Sequence, residues 1–227
     1  MKILYLETSS KNCSVAISDG EKMLCVTEEI SENYKQSESL HVFVEWALEG
    51  AGISMKDIEA VSLGKGPGSY TGLRIGASSA KGFCYGLRIP LVAVNSMESM
   101  IVPFLGGIYD YVIPMIDARR MEVYTAVFDG RNGEQISETE AKILDETSFE
   151  EYKAKKILFV GDGATKAKEI LQLPEAVFND EVYPSARYLM KKTLEKIAQK
   201  DFEDIAYFEP FYLKDFHGVK KKNKSEE

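Results

Sequence analysis

The amino-terminal stretch KILYLETSSKNCSVAISDGEKMLCVTEEI, residues 2–30, carries the pattern that decides the fold. Lys2–Glu7 is an apolar run that ends in turn-forming residues. Cys13–Ser18 alternates between apolar and small polar residues and stops at Asp19-Gly20, a strong hairpin signal. Lys22–Ile30 then reads as the partner strand. The stretch therefore predicts three consecutive antiparallel strands.

Helices and strands alternate through the rest of the first half. Ser37 precedes apolar residues at the spacing of one helical face, and Gly52 ends that helix; the residues of the face are Leu40, Val44, Ala47, Leu48 and Ala51. We then expect a short buried strand, a second helix and a further strand, at Ala60–Leu63, 71–86 and Leu91–Val94.

The second half repeats this order after a break near Ile101–Tyr109. The predicted strands are Tyr111–Ile116, Glu122–Phe128, Glu134–Ile143 and Ile157–Val160, and the predicted helices are Ser148–Tyr152, Ala164–Leu171 and Ala186–Gln199. A β-β-β-α-β-α unit that occurs twice is the layout of the two-lobed actin-like, ribonuclease-H-like α/β fold. We expect an N-terminal lobe at 1–103, a C-terminal lobe at 104–218 and a flexible lysine-rich tail at 219–227.

Composition and charge exclude several classes of protein. The 227 residues are 44% hydrophobic and 28% charged, as in an ordinary globular chain. With 28 basic and 36 acidic residues the net charge is −8, so independent binding to nucleic acid is not expected. The three cysteines show no metal-ligand spacing, which suits a reducing cytosol. Because neither a signal peptide nor a membrane span is apparent, we expect a cytoplasmic protein.

Glycine gives the strongest local signal, in the run from Gly64 to Gly72 that joins a predicted strand to a helix. The run matches neither the P-loop nor the full dinucleotide-binding pattern, so a tight turn capped by Ser69 or Thr71 is preferred over a phosphate cradle. Within the helix, small residues recur every four positions, at Gly72, Gly76, Ala80 and Cys84. This stripe packs either against the protein's own sheet or against a partner helix.

The helix after Ser37 places two large apolar residues on its outer side. Helical phasing puts Val42 and Trp46 opposite the face that contains Leu40 and Val44. An exposed tryptophan is a frequent interface anchor, so we interpret both residues as candidate partner contacts.

The residues of conventional catalytic sites do not assemble into a set. His41 and His217 are the only histidines, and the serine-hydrolase elbow is missing. Four acidic residues are candidates near the cleft, but no pair stands out as acid and base; they are Glu7, Glu98, Asp117 and Asp162. The charges of Asp117-Ala118-Arg119-Arg120 at a predicted turn are typical of a solvated hairpin.

Over nearly its whole length the chain resembles the bacterial TsaB (YeaZ) family. The matching segments are Leu6-Glu7-Thr8-Ser9, Cys13–Ala16, Gly64–Gly76, Ala80-Lys81-Gly82, Asp117–Arg120, Glu122-Val123-Tyr124, Gly161–Ala164 and Glu209–Lys214. The glycine segment is shared with the larger catalytic paralogue TsaD, whereas Asp-Ala-Arg-Arg and Glu-Pro-x-Tyr-Leu favour TsaB. Glu7 departs from the aspartate that is usual in the family.

The resemblance implies the actin-like fold and a non-catalytic subunit of the complex that makes threonylcarbamoyladenosine at position 37 of transfer RNA. Ser96 and Met100 stand where TsaD has two metal-binding histidines, and neither is a good ligand for a hard divalent ion. The family pairs with a TsaD-like catalytic subunit through the two first-lobe helices, and a TsaE-like ATPase docks on the pair. Transfer RNA is then reached only through the complex, and self-association of the isolated chain stays open.

These considerations give two sets of candidate residues. The partner-binding candidates are Val42, Trp46, Gly72, Gly76 and Ala80, and the nucleotide-binding candidates are Glu7, Thr8, Ser9, Gly161, Asp162 and Gly163. No catalytic residue, metal or cofactor is expected beyond weak binding of ATP. The alternatives are an actin-like phosphotransferase or ATPase, which needs phosphate-binding loops in both lobes and an acid for Mg²⁺, and a metallopeptidase.

Overall fold

A five-stranded sheet forms the first half of the protein in the computed structural model, which describes residues 1–31 and 36–214. Its strands are β1 (Lys2–Glu7), β2 (Asn12–Asp19), β3 (Lys22–Ile30), β4 (Ala60–Gly64) and β5 (Leu91–Val94). The order across the sheet is β3-β2-β1-β4-β5. The first three strands are antiparallel, as the hairpin signal predicted, and β4 and β5 run parallel to β1.

The second half builds a second sheet with the same arrangement. Its strands are β6 (Tyr111–Asp117), β7 (Glu122–Thr125), β8 (Phe128–Asp129), β9 (Glu140–Ile143), β10 (Ile157–Val160) and β11 (Ala176–Asn179). The order is β11-β10-β6-β7-β9, with β8 paired to β6. Each sheet thus places its first strand centrally, two antiparallel strands on one side and two parallel strands on the other. This repeat confirms the duplicated two-lobed actin-like fold.

Helices cover both faces of the first sheet. The α-helices among the described residues are α1 (Gln36–Ala51), α2 (Tyr70–Leu87), α3 (Ser96–Ile101), α4 (Ala164–Ile170) and α5 (Met190–Ala198). α1 and α2 bury their apolar faces on one side, where Leu40 and Ala80 share a core with Leu4. α5 lies on the opposite side, and a buried hydrogen bond of 2.7 Å joins Ser62 Oγ of β4 to Thr193 Oγ1.

Four predicted elements need correction. The strand expected over Glu122–Phe128 divides after Thr125, because the backbone N–H of Val127 donates to Ser137 Oγ rather than to a strand. Of the next predicted strand, Glu140–Ile143 forms a strand paired to β7, and Gln135 makes only an isolated bridge to Phe128. The other two differ as follows: Phe149 at φ 64° limits the Ser148–Tyr152 helix to a 3₁₀ turn at Glu150–Tyr152, and Ala186–Gln199 divides into a 3₁₀ turn at Ala186–Tyr188 and α5.

Two helices exchange lobes. α3 follows the first sheet in sequence, yet Met97 and Ile101 pack with Val112 and Leu158 of the second. α5 follows the second sheet and packs on the first. The expected boundary at 103/104 therefore separates the strands but not the helices, and the domain limits stay a prediction. Within residues 1–31 and 36–214, no helix is long and apolar enough to cross a membrane. His217 and the lysine-rich tail lie outside the described residues.

Candidate functional site

The glycine-rich segment packs against the end of β1. A Cβ added to any of four of its glycines would lie closer than 3.0 Å to an atom of the residues that end or follow β1; these glycines are Gly64, Gly68, Gly72 and Gly76. Glycine is needed here because two stretches of the same chain approach each other closely. Ser69 Oγ accepts a hydrogen bond of 3.4 Å from Gly72 N, which confirms the predicted helix cap. The preferred interpretation as a tight turn is therefore correct.

The carboxylate of Glu7 occupies the centre of this packing. Its Oε1 accepts a hydrogen bond of 2.8 Å from Ser9 N, and its Oε2 accepts one of 2.8 Å from Ser96 Oγ. Ser96 Oγ in turn accepts from Gly66 N at 3.1 Å. Burial raises the pKa of the Glu7 carboxyl, and the hydrogen bonds from Ser9 and Ser96 oppose that shift. Glu7 is thus a buried structural group that ties three loops together.

The first-lobe half of the predicted nucleotide site is closed. Glu7, Thr8 and Ser9 are all 0% exposed. Thr8 Oγ1 donates to the carbonyl oxygen of Gly72 at 2.8 Å, so its hydroxyl serves the packing of α2. These three side chains therefore present no exposed atom in this arrangement. A role of Glu7, Thr8 and Ser9 in nucleotide binding stays a prediction.

The second-lobe loop Gly161-Asp162-Gly163 supports the neighbouring hairpin. Asp162 Oδ1 accepts a hydrogen bond of 2.9 Å from Asp117 N. Burial raises the pKa of the Asp162 carboxyl, and that hydrogen bond together with the charge of Lys11 opposes the shift. Gly161, at φ 110°, lies so close to Met115 O that a side chain would collide with it. A role of this loop in nucleotide binding stays a prediction.

Ser96 and Met100, at the positions implied for metal ligands, lie in the protein interior. Ser96 is 0% exposed and bonds to Glu7, and Met100 is 1% exposed in the core of the second lobe. Across the described part of the chain, no group of three or more His, Cys, Asp or Glu side chains is arranged to hold a metal ion.

The stripe of small residues on α2 faces the protein's own sheet. Gly72, Gly76 and Ala80 are buried. A Cβ on Gly76 would lie closer than 3.0 Å to Thr8 Oγ1 and 3.0 Å from Leu63 Cδ1. The expectation that this stripe contacts a partner is therefore wrong, because β1 and β4 already fill the space. Helical spacing had left both interpretations open.

The outer face of α1 carries the large apolar residues that phasing placed there. Trp46 is 55% exposed and Val42 is 38% exposed. The Trp46 ring stacks on Phe43, with centroids 5.5 Å apart. Phe43 itself is buried in the core, so the exposed Trp46 ring packs against a residue of the core. The predicted exposure of both residues is confirmed, and their contact with a partner stays a prediction.

A groove runs between α1 and α2 on the same side of the lobe. Its volume is about 610 Å³, and its lining residues include Ser37, His41, Tyr70, Arg74, Ile75 and Ser78. His41 Nε2 and Ser79 Oγ lie 3.2 Å apart across the two helices. The sequence analysis missed the α2 side of this groove, because it predicted partner contacts on the helix face that contains the glycines. The sequence signal for this surface was the pair Arg74 and Ile75 on another face of α2. The structure shows Arg74 to be exposed and Ile75 to be half-buried.

The segment Glu209–Lys214 ties the two lobes together. Phe211 N donates to Lys65 O at 2.8 Å, next to the glycine segment. The ring of Tyr212 lies on Tyr70 at the start of α2, with centroids 4.9 Å apart. Lys214 then pairs with Glu122 of β7 in the second lobe.

Comparisons with known proteins agree with this architecture. A family model described as "TsaD: tRNA N6-adenosine threonylcarbamoyltransferase" matches residues 28–215. The tRNA threonylcarbamoyladenosine biosynthesis protein TsaB of Escherichia coli (strain K12) is 29% identical over 227 aligned positions, which cover 94% of this chain and 95% of that protein. The chain belongs to the TsaB (YeaZ) branch of the TsaD family.

Further relatives support this assignment to TsaB. The protein of the same name from Bacillus subtilis (strain 168) is 29% identical over 178 residues, 76% of each chain. A crystal structure from Pseudomonas aeruginosa, described as an uncharacterized protein with similarity to peptidase YEAZ, superposes with a TM-score of 0.79. It is 23% identical and covers 94% of this chain and 99% of its own, so it supports the fold alone.

The segments that carried the resemblance to TsaB have definite places in the fold. Gly64–Gly76 seats the end of β1, and Glu209–Lys214 joins the lobes. Asp117–Arg120 forms the hairpin between β6 and β7, which Asp162 supports.

Proposed function

We propose that this chain serves the synthesis of threonylcarbamoyladenosine in transfer RNA as a non-catalytic subunit. In this role it binds a TsaD-like catalytic subunit, and a TsaE-like ATPase docks on the pair. The names of the TsaB relatives support the pathway, since they are biosynthesis proteins of that modified nucleoside. The buried Ser96 and Met100 support a binding role, because neither presents a ligand to a metal ion.

The observation that carries the proposal is the exposed face of α1 and α2. Trp46 projects from a buried Phe43, and the groove between α1 and α2 offers the apolar surface of Ile75 with the cation of Arg74. Exposed aromatic and arginine side chains are the residues that most often anchor a protein interface. The partner surface is therefore assigned to Val42, Trp46 and the groove, and the buried stripe of α2 is left out.

Replacing Trp46 tests the partner surface. Trp46→Ala should weaken binding of the TsaD-like subunit by about 2 kcal/mol or more, as expected of an anchor. It should lower monomer stability by only about 0.5 to 1.5 kcal/mol, from the lost stacking on Phe43. Tyr207→Ala is the matched control, since Tyr207 is 84% exposed but lies in the carboxy-terminal segment. Calorimetry measures the affinity of each variant for the TsaD-like subunit, and a melting curve measures the stability of each variant. Equal affinities of the two variants would contradict the assignment.

A second test concerns catalysis. The chain is incubated alone with threonylcarbamoyl-adenylate and unmodified transfer RNA, and nucleosides are analysed after digestion. We expect no modified adenosine until a TsaD-like subunit is added. Product formed by the chain alone would refute the non-catalytic role. Elution of the isolated chain as a dimer, lost in Trp46→Ala, would show that a second copy uses the same face.

A further inference from the structure

The hairpin between β6 and β7 presents two arginines in a backbone conformation that arginine rarely adopts. Arg119 has φ 70° and Arg120 has φ 52°, and both side chains are exposed. Glycine and asparagine are the residues that enter this left-handed region at low cost. Tight hairpin turns that need positive φ usually select glycine or asparagine, so two arginines there are unusual.

The base of the hairpin holds this conformation in place. Asp117 Oδ1 accepts a hydrogen bond of 2.5 Å from Arg119 N, and Glu122 N donates to Arg119 O at 3.3 Å. Asp162 supports Asp117 from the neighbouring loop. The arginines are therefore presented by a fixed turn.

Two acidic residues at the base of the hairpin are already paired with lysines. Asp117 pairs with Lys166 at 2.5 Å, and Glu122 pairs with Lys214. Neither Arg119 nor Arg120 forms an ion pair with any residue that the structure describes. Two guanidinium groups thus remain uncompensated at the tip of a hairpin, on a chain whose net charge is −8.

The hairpin is linked to the groove through the carboxy-terminal segment. Lys214, paired with Glu122, is two residues from Tyr212, whose ring rests on Tyr70. Arg74 of the groove stands over that same Tyr70 ring, 5.1 Å from its centroid. The segment of Tyr212 and Lys214 therefore connects the Tyr70 end of the groove to the base of the hairpin.

We propose that Arg119 and Arg120 contact the phosphate backbone of the RNA that the complex modifies. This inference rests on the proposed function, in which the complex binds transfer RNA, a polyanion. It adds that this chain contacts the RNA directly and not only through its partners. An arginine guanidinium group can donate two parallel hydrogen bonds to the oxygens of one phosphate. Two such contacts would add to the RNA affinity that a catalytic partner provides. The alternative partner of the two arginines is an acidic surface of another protein.

The test replaces both arginines by residues that suit the backbone. Arg119→Asn with Arg120→Gly removes the guanidinium groups and relieves the turn, so the melting temperature should be unchanged or higher. Arg88→Asn is the matched control, because Arg88 is also exposed and left-handed, at φ 58°, but ends α2. Binding of unmodified transfer RNA is measured for the complex of the full chain with its TsaD-like subunit, at about 50 and 200 mM salt.

Two lost phosphate contacts should lower the salt slope of log affinity by about 1.4 to 1.8. The affinity ratio of wild type to double variant should accordingly shrink about tenfold between the two salt concentrations, while Arg88→Asn matches wild type. Unchanged RNA affinity in an intact complex would overturn the inference. Loss of a protein subunit with RNA affinity retained would overturn it in favour of an acidic partner.

Failure of the proposed function is recognised separately. If the wild-type chain does not bind a TsaD-like subunit, the function proposed above is wrong. The same titration is then run on the chain alone, where a salt-dependent difference between wild type and double variant would support the arginine contact. Indistinguishable binding of the two would overturn it.

Discussion

Replacing Gly76 by alanine measures how tightly α2 is seated on the end of β1. In a solvent-facing helix the change would stabilise the protein by about 1 kcal/mol, because alanine is the better helix former. Here the new Cβ would lie closer than 3.0 Å to Thr8 Oγ1 and 3.0 Å from Leu63 Cδ1. Overpacking of this kind costs about 1 to 3 kcal/mol. Displacing the Thr8 hydroxyl from Gly72 O adds about 0.5 to 1.5 kcal/mol.

The net expectation for Gly76→Ala is a loss of about 1 to 3 kcal/mol in the free energy of unfolding. For a chain of this length that lowers the melting temperature by about 2 to 12 °C. Gly82→Ala is the control on the same helix, since Gly82 is exposed and a Cβ there meets nothing within 4 Å. It should raise the melting temperature by about 2 to 4 °C. Calorimetry of both variants measures the difference.

A double-mutant cycle with Thr8→Ala locates the cause. Removing the Thr8 hydroxyl opens the space that the new methyl group needs, so the two changes together should cost less than their sum by about 1 kcal/mol or more. If Gly76→Ala were as stable as Gly82→Ala, α2 would not be seated as described, and the stripe would again be free for a partner. Additive effects would place the strain elsewhere than at Thr8.

Two further predictions concern buried polar groups. The folded Glu7 carboxyl holds its proton more tightly than the unfolded one, so its contribution to stability falls as pH rises from about 4.3 through the raised pKa. Glu7→Gln should remove that part of the pH dependence in urea midpoints; an unaltered profile would contradict the assignment. Thr193→Val leaves Ser62 Oγ without its partner and should cost about 1 to 3 kcal/mol. The exposed control Thr71→Val should change stability by at most about 0.5 kcal/mol, and equal losses would mean that α5 is not held by this bond.

The fold could be read from sequence where local patterns are regular. Three strands and a hairpin turn in residues 2–30 were predicted because apolar alternation and Asp19-Gly20 act over short distances. β11 was missed, since Ala176–Asn179 is a four-residue edge strand in a polar stretch. The packing of α5 on the first sheet was also missed. It depends on contacts such as Ser62 with Thr193, which lie 131 residues apart.

In the candidate site, too, local features were predictable from the sequence and long-range contacts were not. The outward position of Trp46 was predicted correctly because it follows from the apolar face of a single helix. The same periodicity shows that Gly72, Gly76 and Ala80 share a face, but it cannot say what lies opposite. Only the tertiary structure shows the end of β1 there.

This packing explains why the glycine segment does not distinguish a catalytic chain from a binding subunit. Gly64, Gly68 and Gly72 are required because Glu7, Thr8 and Ser9 lie where their side chains would be. That requirement concerns folding of the first lobe and holds whether or not a metal ion or nucleotide is bound. The chemistry must therefore be read from other side chains. At the two positions implied for metal ligands this chain has Ser96, which donates its hydroxyl to a buried carboxylate, and Met100, which fills a core. Both serve packing, which is why function is assigned to the exposed faces of the molecule.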